Sequence, residues 1–191
     1  MAIKERLLRL SLAHYRKDSC SERDCHFFGT ALHAKQAATL HARHGTVLYN
    51  QFYSTDATRG ALERFKRDLG ADWTLDQHDL TVELYVRDLA TLRAIAADPE
   101  FASFGAVEEP YLSRRHVVAS LAWVEVYVQD GKVVNVAKDG TPAYQPAFED
   151  FVKKDGPLSR ALAPRAQEPT AVPSEPLRKQ LLWDDGPDVM L

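Results

Sequence analysis

Four of the chain's seven histidines lie within the segment 21–45, SERDCHFFGTALHAKQAATLHARHG. An α-helix advances about 100° per residue, so His26, His33 and His44 would share one line along a helix through this segment. His41 would lie within about 60° of that line. Imidazole suits proton transfer because its unperturbed pKa is about 6.5. The spacing therefore indicates a helix that could present acid–base groups to a pocket beneath it.

A purely structural interpretation of these histidines is open as well. Phe27, Ala31, Ala34 and Ala38 mark an apolar stripe beside the histidine line, and this pattern predicts that the stripe is the buried face of the helix. Histidines at the margin of such a face are often half-buried side chains with no chemical role. Periodicity alone does not separate the two interpretations.

A metal site is the main chemical alternative for the histidines. His41 and His44 are three residues apart, a helical spacing that can bind one ion, and His33 lies eight residues before His41. Because no carboxylate accompanies them at a matching spacing, we favour proton transfer and predict no metal. Cys20 and Cys25 are too few for a zinc site and indicate free thiols in a reducing compartment.

Composition narrows the class of protein. The chain has 191 residues, 45% hydrophobic and 27% charged, with a net charge of −3. Acidic and basic residues are interspersed and form no basic stripe, so we expect no nucleic-acid partner. We find neither an apolar run as long as a membrane span nor a signal peptide at the N-terminus. The sequence predicts a cytoplasmic protein with no membrane partner.

Hydrophobic periodicity predicts the order of strands and helices. Strands are expected over 7–15, 46–53, 78–86 and 116–128, helices over 21–45, 57–69 and 89–97, an irregular segment over 107–113, and a hairpin turn at Asp130-Gly131. A βαββαβ order folds most naturally as a ferredoxin-like α+β domain, with a four-stranded antiparallel sheet and helices on one face. Both faces of the last strand are apolar. We therefore expect a second copy to cover the other sheet face in a homodimer.

The C-terminal part of the chain differs in composition. Eight of the ten prolines fall between Pro142 and Pro187, among few periodic apolar residues. We predict a domain over 1–140 that ends in the hairpin, and a proline-rich extension over 141–191 that is extended or disordered.

Several motifs together resemble the EthD-like domain of the dimeric α+β barrel superfamily. They are LLRLSLAHYRK, the helix signature His26-x6-His33-Ala34, HDLTVELYV followed by DLATLRAIAADPEF, and HVVASLAWVEVYV. The family's helix usually reads His-Ala-Pro, and here Lys35 stands in place of the proline with His33 in register. The resemblance implies a dimeric α+β barrel. It also implies similarity to the decarboxylases, dehydratases and cyclases that act without a cofactor on polyketide intermediates in fungal gene clusters.

The chemistry of such intermediates agrees with a histidine-based site. Decarboxylation, loss of water and aldol closure of a poly-β-ketone all pass through an enol or enolate. Each reaction needs a group that moves a proton and a donor that holds the developing oxyanion, in a dry pocket. We therefore predict a cofactor-independent lyase or cyclase acting on an aromatic polyketide. The alternatives are a non-catalytic accessory protein that binds such an intermediate and, less favoured, a haem- or oxygen-using monooxygenase.

Helix position and the family resemblance make His33 the first candidate for proton transfer. His78 is the second, because it starts the third predicted strand at a position that shares a face with the apolar residues of that strand. Candidate substrate-binding residues lie along the same elements: His14, His26, Glu83, Tyr85, Tyr111 and Trp123. Glu83 has a structural alternative, since it could instead pair with Arg9 or face the dimer partner. The aromatic residues could equally belong to the core or to an interface.

Overall fold

The computed structural model describes residues 4–5 and 7–145. The strands in that part of the chain are β1 (Lys4–Glu5), β2 (Leu7–His14), β3 (Leu48–Tyr53), β4 (Leu80–Val86), β5 (Val118–Val124), β6 (Val128–Gln129), β7 (Lys132–Val133) and β8 (Tyr144–Gln145). The helices are α1 (Glu22–Phe27), α2 (Ala34–Arg43), α3 (Asp56–Asp68), α4 (Leu89–Ala96) and α5 (Pro99–Glu108). A π-helical turn, Phe28–His33, joins α1 to α2.

The strands β2 to β5 form one antiparallel sheet in the order β3-β4-β2-β5. In the central strand β2, Leu10 lies opposite Leu84 of β4 and Leu121 of β5. This is the order that a βαββαβ chain adopts in a ferredoxin-like fold. The predicted α+β class and the four-stranded antiparallel sheet are confirmed.

The helices α2, α4 and α5 pack on one face of this sheet. Leu40 of α2 and Phe104 of α5 lie in a buried cluster with Tyr49 of β3, and Leu92 of α4 packs against Val86 of β4. Directly opposed residues of an antiparallel sheet point to the same side, so register assigns every strand residue to a face. The helix-facing side comprises Leu8, Leu10, Leu12, His14, Tyr49, Gln51, Tyr53, Leu80, Val82, Leu84, Val86, Ala119, Leu121 and Trp123.

The helical segment predicted over 21–45 is present, with both predicted ends. The Ser21 side chain accepts a hydrogen bond from the Asp24 backbone N–H at 3.1 Å, which caps the N-terminus. Gly45 has φ +81°, the left-handed conformation that ends a helix and that glycine adopts without steric cost. The helix is therefore delimited as the sequence indicates.

Its interior differs from the prediction. A π-helix bonds i to i+5 and takes more residues per turn than an α-helix, so it shifts the register of every residue that follows. The predicted buried stripe is wrong, because the residues facing the sheet are the neighbours of those predicted: Phe27 is 52% exposed, and Ala31 and Ala38 are also exposed. The residues that are actually buried along the segment are Cys25, Phe28, Gly29, His33, Ala37, Leu40 and His41.

Two boundaries also differ from the sequence interpretation. The α5 helix continues to Glu108, so residues 107 and 108 are helical rather than irregular. The β5 strand ends at Val124 and is followed by the β6–β7 hairpin, whose turn residues Asp130 and Gly131 have φ +51° and +72°, as a tight hairpin requires. In the single chain β5 is not buried on both faces, since Val118 is 57% exposed.

The described chain ends at β8, which pairs in parallel with β1. This pairing falls at the start of the segment predicted as a proline-rich extension, and residues 146–191 of that segment lie outside the described residues. Across the helices that the structure describes, none is long and apolar enough to cross a membrane.

Candidate active site

His33, the last residue of the π-helical turn, is buried between the helices and the sheet. The residue is 7% exposed, and its ring lies 5.4 Å from the ring of Phe28 and 5.1 Å from that of Phe104. Its Nδ1 is buried without a hydrogen-bond partner among the described residues. Because a buried polar atom without a partner is costly, such an atom marks a position where a ligand or a water would bind.

Two further histidines approach the same interior. His41 of α2 is 4% exposed and stacks on Tyr49, with ring centroids 4.9 Å apart, and its Nδ1 also lacks a hydrogen-bond partner. His14 ends β2 on the helix-facing side, close enough to His33 for electrostatic repulsion between the two rings. The interior between helices and sheet therefore holds three imidazoles.

Burial determines the protonation of these three side chains. Desolvation lowers the pKa of His33 below 6.5. Desolvation also lowers the pKa of His14 and of His41 to about 4, and repulsion from neighbouring histidines adds to both shifts. All three imidazoles are therefore neutral near pH 7, the form in which a histidine accepts a proton.

Glu108, at the C-terminal end of α5, accompanies His33. Its Oε1 lies 3.9 Å from His33 Nδ1, which is too far for a hydrogen bond but close enough for an electrostatic interaction if the imidazole is protonated. Burial raises the pKa of the Glu108 carboxyl, partly offset by Arg114. A base with a lowered pKa thus lies beside an acid with a raised pKa, an arrangement found in acid–base sites.

The helix-facing side of β3 contributes three polar side chains opposite these groups. Gln51 Nε2 donates to Tyr49 Oη at 2.7 Å, and the Tyr53 hydroxyl donates to Gln51 Oε1. Burial raises the pKa of Tyr49 to about 12, so its hydroxyl stays protonated at neutral pH. The site therefore combines proton acceptors on the helices with hydrogen-bond donors on the sheet.

The lowered histidine pKa values imply that the fold loses stability in mild acid. Between the folded pKa of about 4 and the unfolded pKa of 6.5, the unfolded chain binds more protons at His14 and His41. The free energy of unfolding is thus highest above pH 6.5 and should fall by up to about 1.4 kcal/mol per pH unit for each histidine as the pH drops.

Urea unfolding between pH 7 and pH 5 measures this slope. We expect His41→Gln to make the slope shallower by up to about 1.4 kcal/mol per pH unit, because this variant takes up one proton fewer on unfolding. His116→Gln, which alters an exposed histidine, should leave the slope unchanged. An identical slope in His41→Gln and the unsubstituted chain would contradict the assignment of His41 as a buried neutral imidazole.

Two other predicted site residues, His78 and Tyr111, lie around the edge of this interior. His78 precedes β4, stacks on Tyr15 with centroids 4.3 Å apart, and is hydrogen-bonded to Asp76 through Nδ1. Its electrostatic influence reaches His14. Tyr111 stacks on Phe28 at 5.0 Å and so supports the wall behind His33.

His26 is exposed rather than in line with His33, because the π-helical turn separates them. Its ring contacts Tyr53 edge-on at 4.8 Å, and both residues line a surface cleft of about 280 Å³. Cys25, Arg16 and Asp79 also border the cleft. Since Tyr53 bonds Gln51, this cleft adjoins the polar row that leads inward to Tyr49.

Three further predicted substrate-binding residues are not brought to His33. Glu83 and Tyr85 lie on the sheet face opposite the helices, where Glu83 pairs with Arg9 at 3.1 Å and accepts a hydrogen bond from Tyr85 at 2.5 Å. Trp123 of β5 lies on the helix-facing side but at the other end of the sheet, packed near Leu8. Pairing with Arg9 was the structural alternative for Glu83.

Sequence reasoning did not select Tyr49, Gln51, Tyr53 and Glu108. The three β3 residues carried a usable signal, because alternate positions of a predicted strand share a face and here that face is polar. Glu108 had no such signal, because the segment 107–113 was interpreted as irregular and an irregular segment assigns no face to its residues. Within the described part of the chain, no three His, Cys, Asp or Glu side chains converge as metal ligands, and His44 is bonded to Asp98 at 2.8 Å.

Comparison with known proteins identifies the family. The EthD domain model matches residues 17–114, more than half of the chain. A protein of Aspergillus terreus named "Putative oxygenase" is 72% identical over 159 residues, covering 83% of this chain and 99% of that protein. This chain therefore belongs to the EthD domain family.

More distant relatives are named as dehydratases. Dehydratase aurZ of Gibberella zeae is 26% identical and covers 67% of this chain and 84% of its own length. Dehydratase iacD of Pestalotiopsis fici is 20% identical, with coverages of 71% and 98%. A solved dimeric ferredoxin-like protein of unknown function from Thermobifida fusca is 14% identical and covers 65% of this chain and 96% of its own, with a TM-score of 0.44. The relatives found by sequence are thus named as enzymes, of the dehydratase and oxygenase kinds.

Proposed function

We propose that this protein is an enzyme that forms an enol or enolate of an aromatic polyketide intermediate by proton transfer at His33, with dehydration as the net reaction. The observation that carries the proposal is the buried Nδ1 of His33, which has no hydrogen-bond partner among the described residues and lies 3.9 Å from Glu108 Oε1. Two relatives named as dehydratases support loss of water over decarboxylation or cyclisation.

The proposed steps use groups of this chain. Neutral His33 removes the proton α to a ketone, and the electron pair moves onto the carbonyl oxygen to give an enolate. The enolate then re-forms the carbonyl and expels the β-hydroxyl, which leaves as water after it takes a proton from Glu108 or from the His33 imidazolium. A β-hydroxyketone thus becomes an unsaturated ketone and one water, and in a benzo-fused six-membered ring, as in a tetralone, the product tautomerises to a phenol.

The lowered pKa of His33 and the raised pKa of Glu108 support these roles. A neutral imidazole is available as a base at pH 7, and a carboxyl with a raised pKa keeps its proton to higher pH than one in water. Phe28, Phe104 and the helices above them exclude water from the site, which strengthens hydrogen bonds to a developing oxyanion.

An oxygenase is the second candidate function, favoured by the 72% identical relative named as an oxygenase. The same deprotonation would give an electron-rich carbanion that can react with molecular oxygen. Oxidation of an activated CH₂ to a ketone by this route consumes one O₂ and releases one water. A third possibility, a binding protein for a reactive intermediate, would use the same interior without turnover.

One assay separates the three functions. The probe 3-hydroxy-1-tetralone loses water to become 1-naphthol, whose fluorescence reports the product, and its α-protons exchange with D₂O if an enolate forms. Naphthol formation supports the dehydratase, and exchange with O₂ uptake but no naphthol supports the oxygenase. Binding without either exchange or turnover would leave only a binding protein and would overturn the enzymatic proposal.

We further propose that the sheet face opposite the helices packs against a second copy of this chain. That face exposes large apolar side chains on its two edge strands: Leu48 and Phe52 of β3 are each 47% exposed, and Val118 of β5 is 57% exposed. A two-fold axis would bring equivalent apolar surfaces together and would also shield the Arg9–Glu83 pair from water.

Sedimentation of single-site variants tests the homodimer. We expect the unsubstituted chain to sediment as a dimer at micromolar concentration, and Val118→Glu to sediment as a monomer because it buries an unpaired charge. Leu69→Glu, which alters a similarly exposed leucine on α3, is the matched control and should remain dimeric. A monomeric parent chain, or a Val118→Glu variant that is still dimeric, would contradict this interface.

A further inference from the structure

The row of polar side chains on the helix-facing side of β3 is unusual for its position. Tyr49, Gln51 and Tyr53 lie directly opposite Leu84, Val82 and Leu80 of β4, where a ferredoxin-like sheet would ordinarily bury apolar residues under its helices. Tyr49 itself packs into the cluster that contains Leu40 and Phe104. All three residues are half-buried, and polar groups taken out of water cost stability unless they are paired, so their presence calls for a role.

Counting donors and acceptors along the row leaves the hydroxyl proton of Tyr49 unused. The Tyr53 hydroxyl donates to Gln51 Oε1, and Gln51 Nε2 donates to Tyr49 Oη at 2.7 Å. A tyrosine hydroxyl has a single donor, and Tyr49 uses its oxygen as an acceptor. Among the described residues no acceptor takes the Tyr49 proton, so the last hydroxyl of the row can donate to a ligand.

Tyr49 also lies beside the proposed base. Phe104 contacts the His33 ring at 5.1 Å and belongs to the same buried cluster as Tyr49. Glu108, 3.9 Å from His33 Nδ1, acts electrostatically on Tyr49 as well. Tyr49, His33 and Glu108 therefore lie in the same region between the helices and the sheet.

We propose that Tyr49 is a catalytic residue whose hydroxyl donates a hydrogen bond to the enolate oxygen, and that Gln51 and Tyr53 are positioning residues that hold it. The proposal rests on the proposed function, because it needs the enolate that His33 forms. A hydroxyl that accepts a hydrogen bond while donating another is polarised and becomes a stronger donor. The bond from Gln51 therefore orients Tyr49 and strengthens its donation.

Gly29 links this row to the helix that carries His33. It lies in the π-helical turn, and a Cβ added there would overlap the Tyr53 hydroxyl and touch Gln51 Oε1 at 3.0 Å. Only glycine leaves room for the Tyr53–Gln51 hydrogen bond under this turn. The turn thus places His33 above the sheet and leaves space for the hydroxyl row beneath it.

Steady-state kinetics on 3-hydroxy-1-tetralone tests the assignment. Tyr49→Phe should lower kcat about 10²- to 10³-fold, the effect of removing one oxyanion donor, with KM changed by less than about threefold. Tyr53→Phe and Gly29→Ala should lower kcat by about tenfold or less, because they only disturb the position of Tyr49. Tyr127→Phe, which removes a hydroxyl bonded to Glu125 near the hairpin, is the control and should match the parent chain.

A spectroscopic measurement separates this proposal from the proposed function. The absorption of bound 1-naphthol reports whether it is ionised, and a site that stabilises an oxyanion lowers its apparent pKa. We expect this lowering in the parent chain and its loss in Tyr49→Phe. If the parent chain ionises 1-naphthol through Tyr49 but exchanges no α-protons, the oxyanion site stands and the dehydratase function fails.

Three results would overturn the role of Tyr49. The first is a kcat for Tyr49→Phe within twofold of the parent value. The second is a larger loss in Tyr53→Phe than in Tyr49→Phe, which would mean that the Gln51 amide has the reverse orientation and ties up the Tyr49 proton. The third is 1-naphthol ionisation that is the same with and without the parent protein.

Discussion

Replacing His33 with glutamine should lower the rate of naphthol formation from 3-hydroxy-1-tetralone about 10²- to 10⁴-fold, the usual contribution of a general base. Glutamine fills most of the imidazole's volume between Phe28 and Phe104 and can still form hydrogen bonds, but it cannot accept the α-proton. Exchange of the α-protons with D₂O should fall by a similar factor, since it depends on the same step.

The pH profile supplies a second readout for His33. Desolvation lowers the pKa of this imidazole, so kcat/KM of the parent chain should fall below an apparent pKa that is itself below 6.5, as the base becomes protonated. That acid limb should disappear from the residual rate of His33→Gln. The exposed His116 provides the matched control, and His116→Gln should retain both the rate and the profile. An unchanged rate in a folded His33→Gln protein would remove His33 from the mechanism.

Phe28→Ala should lower the free energy of unfolding by about 3–5 kcal/mol, the largest stability effect we expect from one truncation. The Phe28 side chain is fully buried. It stacks on Tyr111 at 5.0 Å and packs with Cys25, Leu80 and Leu112. Removing the ring leaves a cavity that helix and sheet cannot close without moving the turn that carries His33.

The neighbouring phenylalanine is the control for this experiment. Phe27 is 52% exposed, and Phe27→Ala should change the free energy of unfolding by less than about 1 kcal/mol. Urea denaturation of both variants at pH 7 measures the difference. Equal losses in the two variants, or a larger loss at Phe27, would show that the helix keeps the α-helical register predicted from sequence and that the π-helical turn is absent.

The strands were predictable because their signal is local. In β2, Leu8, Leu10 and Leu12 alternate with polar or smaller residues, and this period of two correctly assigned them with His14 to the helix-facing side. The caps at Ser21 and Gly45 were predictable for the same reason, since each depends on a few neighbouring residues. The sheet order followed from the βαββαβ sequence of elements.

The face of the first helical segment was not predictable, because a π-helical turn depends on tertiary packing. The residue types in Phe28–His33 do not predict i+5 rather than i+4 bonding. The turn can lie against the Tyr53 hydroxyl because Gly29 has no side chain. The extra residue in this turn places Phe28, rather than the predicted Phe27, beside His33 in the core. It also separated His26 from His33, although an α-helical projection aligns them.

The two sheet faces explain the remaining differences at the site. Glu83 and Tyr85 flank the core residue Leu84 in β4. Because successive side chains of a strand point to opposite faces, both lie on the face away from the helices. Parity also selects Tyr49, Gln51 and Tyr53, but without the packing of α2 and α5 it gave no reason to prefer that strand. Glu108 joined the site only because α5 extends into the segment expected to be irregular.

A crystal structure of the protein with bound 1-naphthol tests the account most directly, since it shows where an aromatic product lies. We expect the naphthol between the helices and the sheet, with ring or oxygen atoms in contact with His33 and its hydroxyl within hydrogen-bond distance of Tyr49 Oη. Naphthol bound instead on the opposite sheet face against Glu83 and Tyr85, or confined to the surface cleft at His26 without reaching His33, would contradict the proposed site.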